Sequence, residues 1–171
     1  MPNAGAPIVV RPAAEADLDA MVALLALVAA EDRWIATQAP FDAELRRSRM
    51  RERMQRGDSQ SFVAVAGDAH VGNLDMSLRR RGVYEFGMVV ANERRGQGVG
   101  SALLDASITW AREAGAHKIV LEVFPQNAPA IALYRKFGFI EEGYLRRHLR
   151  RNDGALWDVI AMGLLLDETS P

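Results

Sequence analysis

The chain has 171 residues, with 21 Lys and Arg against 22 Asp and Glu for a formal charge of −1, and it contains no cysteine. Hydrophobic residues make up 49% and charged residues 25%, an ordinary globular balance in a chain long enough to bury one core. Disulfides, thiolate nucleophiles and thiolate metal centres are thereby excluded, and the charge argues against a dedicated nucleic-acid binder, which carries a strong basic excess.

The first strand is expected over residues 8–11, ended by Pro12. Glu15, Asp17 and Asp19 then lead into a helix running to about Ala30, with Leu18, Met21, Leu25 and Val28 at helical spacing. Residues 31–40 have no clean period and read as a loop or a broken helix. Asp42 can cap a second, arginine-rich helix over 43–56, closed by Gly57. This face is expected to be solvated, with an RNA or acidic-partner patch as the alternative.

The period then changes to two. Residues 61–66 and 70–78 form a hairpin about Gly67-Asp68, and 84–90 form the next strand after a turn at 79–82. A helix follows over 98–114, stopped by Gly115. Residues 118–124 are apolar enough for a central strand, 129–137 form a short helix, and strands 139–149 and 156–166 flank an Asp153-Gly154 turn. The order predicts a mixed α/β (α+β) sheet with helices on both faces, and one right-handed parallel crossover from strand 84–90 to strand 118–124. No linker divides the chain, so a single domain with its core at about 7–166 is expected. No secretory leader or membrane-length apolar run is read, so a cytoplasmic protein without membrane partners is expected.

The sharpest local feature is Arg94-Arg95-Gly96-Gln97-Gly98-Val99-Gly100, set between a strand and a helix. Glycines let the backbone turn tightly there, and the free N–H groups of the first helical turn, with the helix dipole, suit a pyrophosphate. The loop lacks the Gly-Lys-Ser/Thr of a Walker site. It also lacks the third glycine of a dinucleotide fingerprint, since those positions are Ser101 and Leu103.

From Val90 to Gly100 the chain resembles the GCN5-related N-acetyltransferase (GNAT) superfamily, whose Arg/Gln-x-x-Gly-x-Gly/Ala loop matches from Arg95 to Gly100. A second stretch, Asn127-Ala128-Pro129 through Tyr134 to Gly138-Phe139, resembles the superfamily's Asn–Tyr–Gly-Phe segment. The resemblance implies a splayed central parallel pair that takes acetyl-CoA as cosubstrate. Met88, Val89 and Val90 would then meet the pantetheine arm, and Arg95, Gly96, Gln97, Gly98, Val99, Gly100 and Ser101 would cradle the pyrophosphate. Asn127 would lie beside the coenzyme and Tyr134 beside its sulfur.

For acyl transfer to an amine, Tyr134 is the candidate general acid and Glu85 the candidate base, acting directly or through a water. Glu31 is a candidate for holding the ammonium, with Trp34 lining an apolar pocket. Arg146, Arg147, Arg150 and Arg151 are candidates for a substrate carboxylate or a coenzyme phosphate. The three histidines follow no metal-ligand spacing, and no metal is expected. The ending resembles the small-molecule and amino-acid branch of the superfamily. Direct transfer to a small amine, an amino acid or an amine-bearing toxin, is therefore the expected function. Acetylation of protein N-termini, ribosomal ones included, and a non-catalytic acyl-CoA-binding module are the alternatives. A homodimer is plausible on general grounds.

Overall fold

The computed structural model describes residues 6–167. In chain order its elements are β1 (Ile8–Pro12), α1 (Leu18–Ala30), α2 (Ala43–Met54), β2 (Ser59–Ala66), β3 (Ala69–Arg80), β4 (Val83–Val90), α3 (Val99–Glu113), β5 (Lys118–Val123), α4 (Ala128–Lys136), β6 (Ile140–Arg150) and β7 (Leu156–Leu165). The seven strands form one sheet in the order β1-β2-β3-β4-β5-β7-β6. Every neighbouring pair is antiparallel except β4 and β5. The mixed α/β architecture expected from the sequence is the one observed.

Local chemistry accounts for the small departures. β1 runs on through Pro12, because at a sheet edge a missing N–H interrupts no ladder. α2 begins where Asp42 accepts the Leu45 N–H at 2.9 Å and stops at Met54, two residues early. β3 extends to Arg80 because its end, past the last β2 pair at Ser77, stays paired with β4 through Leu78–Tyr84 and Arg80–Val83. Residues 31–40 contain no helix.

Helices cover both faces, and two apolar layers result. Leu74, Met76, Leu103, Leu104, Ile119 and Phe139 fill the layer between the sheet and α3 with α4. Leu18, Met21, Leu25, Val28, Met50 and Val63 fill the layer under α1 and α2. Gly72 of β3 lets α3 approach closely: a Cβ there would lie 2.9 Å from both Leu103 Cδ1 and Val99 Cγ1. No described helix is long and apolar enough to cross a membrane.

The feature that makes the site is a short pairing. β4 and β5 are joined only at Val83–Lys118, Tyr84–Ile119 and Glu85–Val120. Beyond Glu85 the two strands part, and the centre of the sheet opens.

Candidate active site

Strand alternation divides β4 between the two faces. Tyr84 meets Trp110 of α3, and Phe86 meets Tyr134 of α4 and Phe139, so the even-numbered side chains face α3 and α4. Glu85, Gly87 and Val89 face α1 and α2. A cleft of about 930 Å³ is lined from both faces, by Phe86, Met88 and Tyr134 on one side and by Glu85, Gly87 and Val89 on the other. It passes through the opened sheet.

Main-chain groups alternate as well. The Ala91 N–H bonds Val71 O at 3.0 Å, and the register runs unbroken from Val90–Gly72 back to Tyr84–Leu78. In an antiparallel ladder this directs the N–H and C=O of Val89 toward β3 and those of Met88 and Val90 toward the gap. The Val90 carbonyl accepts from Arg95 Nε at 3.2 Å.

The glycine loop follows directly. After a single 3-10 turn at Asn92–Arg94, Gly96 and Gly98 take φ of +72° and +90°, a region that side chains bearing a Cβ rarely adopt. Gly98 caps α3 without a side-chain bond, and the first helical bond is from the Ala102 N–H to Gly98 O. The N–H groups of Val99, Gly100 and Ser101 therefore end the helix facing outward, where the dipole is positive. A Cβ on Gly96 or Gly98 would meet nothing within 4 Å, so the space over the loop is open. The buried Val99 side chain anchors the helix below. This cradle fits a pyrophosphate.

Tyr134 is buried, and desolvation pushes its phenol from 10.0 up to about 12, which keeps the hydroxyl a proton-bearing donor. Its ring packs edge-on against Phe86, centroids 5.7 Å apart, while the residue lines the cleft. Glu85 lies across the gap on the opposite face. Its half-exposed carboxylate is 3.7 Å from Arg79 Nε.

Glu31 and Trp34 do not stand free at the mouth of the site. The Glu31 carboxylate takes two bonds from the Arg95 guanidinium, at 2.6 and 2.7 Å, and one from Trp34 Nε1 at 2.6 Å. Arg95 thereby holds the Glu31 carboxyl below its usual value, against partial burial, and the indole N–H adds to the effect. An ammonium would have to compete with this guanidinium. The Arg95 side chain, expected over a pyrophosphate, is instead occupied with Glu31, Asn92 and the Val90 carbonyl. Trp34 lines the cleft. Gln97 donates to Glu93 O at 2.8 Å. Asn127 caps α4 by accepting the Ala130 N–H at 3.3 Å, and its amide reaches Trp34 O at 3.4 Å.

Arg151 also has an internal role. It is buried between Phe124 and Trp157, and it donates to Asp32 at 2.5 Å and to the carbonyls of Ile35 and Ala36 at 3.1 and 3.3 Å. It fastens the loop between α1 and α2. Among the described residues no group of three or more metal-ligating side chains converges.

A family model described as Acetyltransferase (GNAT) family matches residues 25–139. The chain belongs to the GNAT acetyltransferases. Two curated relatives are an L-methionine sulfoximine/L-methionine sulfone acetyltransferase of Pseudomonas aeruginosa and the L-amino acid N-acetyltransferase of Escherichia coli. The first is 30% identical over 165 residues, covering 94% of this chain and 95% of that protein. The second is 36% identical over 104 residues, covering 56% of this chain and 62% of that protein. Among solved structures, a ribosomal-protein-alanine N-acetyltransferase from Brucella melitensis superposes with a TM-score of 0.85 at 30% identity, covering 92% of this chain and 99% of that one. A phosphinothricin acetyltransferase from Sinorhizobium meliloti, solved in complex with acetyl-CoA, shares the GNAT fold with a TM-score of 0.84 at 22% identity, covering 94% and 89%.

Sequence reasoning missed part of this GNAT cleft. Arg46, Arg49 and Arg53 of α2, with Asp75 and Arg79 of β3, line its α1–α2 side. The signal for the helix residues was their i, i+3, i+7 spacing, which puts them on one face. Asp75 and Arg79 belong to no motif.

Proposed function

We propose that this GNAT protein transfers an acetyl group from acetyl-CoA directly to the primary amine of a small molecule such as an amino acid. The observation that carries the reading is the cleft running through the sheet, with the α3 N-terminus on one side and Glu85 on the other. A thioester and an amine can thus approach one another from opposite faces. Acetyl-CoA, when bound, supplies the activated acyl group. The outward N–H groups of Val99, Gly100 and Ser101 hold its pyrophosphate, and the main-chain groups of Met88 and Val90 orient the acyl arm. An N–H on β4 stabilises negative charge developing on the carbonyl oxygen. The Tyr134 hydroxyl gives its proton to the departing sulfur, and the Glu85 carboxylate accepts a proton from the attacking amine, directly or through one water.

The Pseudomonas relative, matched over nearly its whole length, supports a small amino-acid-like acceptor. The Brucella structure supports a second reading, acetylation of a protein N-terminus. A panel of amino acids, polyamines, aminoglycosides and short peptides, followed by release of free CoA, separates the two. Turnover of small amines at rates well above the peptides is expected. Turnover of peptides alone would replace the first reading by the second.

A further inference from the structure

The α2 wall of the cleft is unusually cationic for the place where a positively charged amine must enter. Arg46, Arg49 and Arg53 project from one face of α2 into the cleft, and Arg79 of β3 adds a fourth guanidinium. Neighbours at such spacing stand about 5–6 Å apart at Cβ, close enough to repel. Two of the four have carboxylate partners: Arg53 is 3.3 Å from Asp75, and Arg79 is 3.7 Å from Glu85. Arg46 and Arg49 have no carboxylate within ion-pair distance among the described residues. Arg46 rests over the Phe41 ring, 5.4 Å from its centroid. Burial and the neighbouring charges of Arg49 and Arg53 hold it below its ordinary value. Asp75 acts on Arg46 only from beyond ion-pair distance, so two adjacent guanidiniums face a shared cavity without a paired carboxylate.

We infer that Arg46 and Arg49 receive an oxyanion carried by the acceptor itself, so that the cleft selects amines bearing a carboxylate or an equivalent acidic group. The inference rests on the reading of this cleft as an acetyl-transfer site. Arginine suits the task because its fork gives a planar anion two parallel bonds and stays charged. The arrangement then works at two points. The arginines hold the anionic end, which leaves the amine to lie toward Glu85 and the opened sheet. A polyamine meets only repulsion on α2 and gains nothing in return.

The test compares the common L-amino acids with their α-carboxamides, and with spermidine, on the protein saturated with CoA for binding and with acetyl-CoA for turnover. The carboxamide amine is the less basic of each pair, so free-base content alone would favour the amide. For the amino acid the site accepts, calorimetry should show the acid binding about 10–100-fold tighter than its amide, the range expected of a charge-assisted pair. The kcat/KM ratio should follow it through KM. Both residues lie on the cleft side of α2 and outside the apolar layer, so Arg46→Gln and Arg49→Gln leave the core intact. Each should collapse the preference while leaving CoA affinity unchanged. Equal binding of acid and amide by the wild type, binding of neither, or a preference that survives both substitutions overturns the inference. An acid that binds in an arginine-dependent way and is never acetylated supports the anion site and overturns the acetyl-transfer reading instead.

Discussion

Tyr134 and Glu85 sit on opposite sides of one opened strand, and each makes a separable prediction. Tyr134→Phe keeps the ring that packs on Phe86 and Phe139 and removes only the hydroxyl. Coenzyme affinity should hold while kcat falls about 10²–10⁴-fold, the usual worth of a positioned acid. A kcat within about twofold of wild type, with chemistry limiting, would remove Tyr134 from the mechanism. Burial raises its phenol from 10.0 to about 12, so the acid form persists through that interval and tyrosine ionisation should not depress activity below about pH 12. The same shift fixes a sign for stability: what burial of the neutral phenol contributes is complete below about pH 10 and is lost as pH rises from there to about 12. For Glu85, replacement by Gln keeps volume and removes basicity. The kcat/KM deficit should be largest near neutral pH and shrink as solvent itself frees the amine toward about pH 10. Parallel profiles of the two proteins over that range would sink the base assignment.

Among the elements, α3 starts at the glycine loop and rests on Gly72. Gly72→Ala would set a methyl group 2.9 Å from Leu103 and Val99 and 3.3 Å from the Val89 carbonyl. Overpacking of this kind costs about 1–3 kcal/mol, and here it also displaces the N-terminus of α3. A lowered Tm together with weakened acetyl-CoA binding is expected; a lowered Tm with unchanged affinity would show that the loop moves independently of the helix. The strand–glycine–helix unit was legible in sequence because its punctuation is local, with Gly96 and Gly98 marking the two positive-φ turns. The loop between α1 and α2 was not. Its shape is fixed by Arg151, 119 residues from Asp32 along the chain, and by Arg95, 64 residues from Glu31. No periodicity reports such partners, so Glu31 read as an open carboxylate and Arg151 as a ligand-facing guanidinium. The α2 arginines were visible as a cluster, but which way that helix face points depends on how it docks against α1 and β2.

At the scale of the whole molecule, β1 through β4 form one block of ladder and β5, β7 and β6 another, stitched by three residue pairs. A bound pantetheine arm lying along Met88 and Val90 would act as a short substitute strand across the remainder of the seam. The two blocks should then behave as separate cooperative units when the coenzyme is withdrawn, with amide protons at the seam exchanging early. Saturating acetyl-CoA should slow exchange at Met88 and Val90 and stabilise the protein by about 2.7 kcal/mol at a hundred times its Kd. Seam amides that exchange at the same rate with and without ligand would show that the opened sheet is rigid by itself. If the seam does breathe, proteases gain their entry there, and digestion in the presence and absence of acetyl-CoA measures it. Resistance to digestion would then rise and fall with the acetyl-CoA concentration, making the protein's durability a readout of its own cosubstrate.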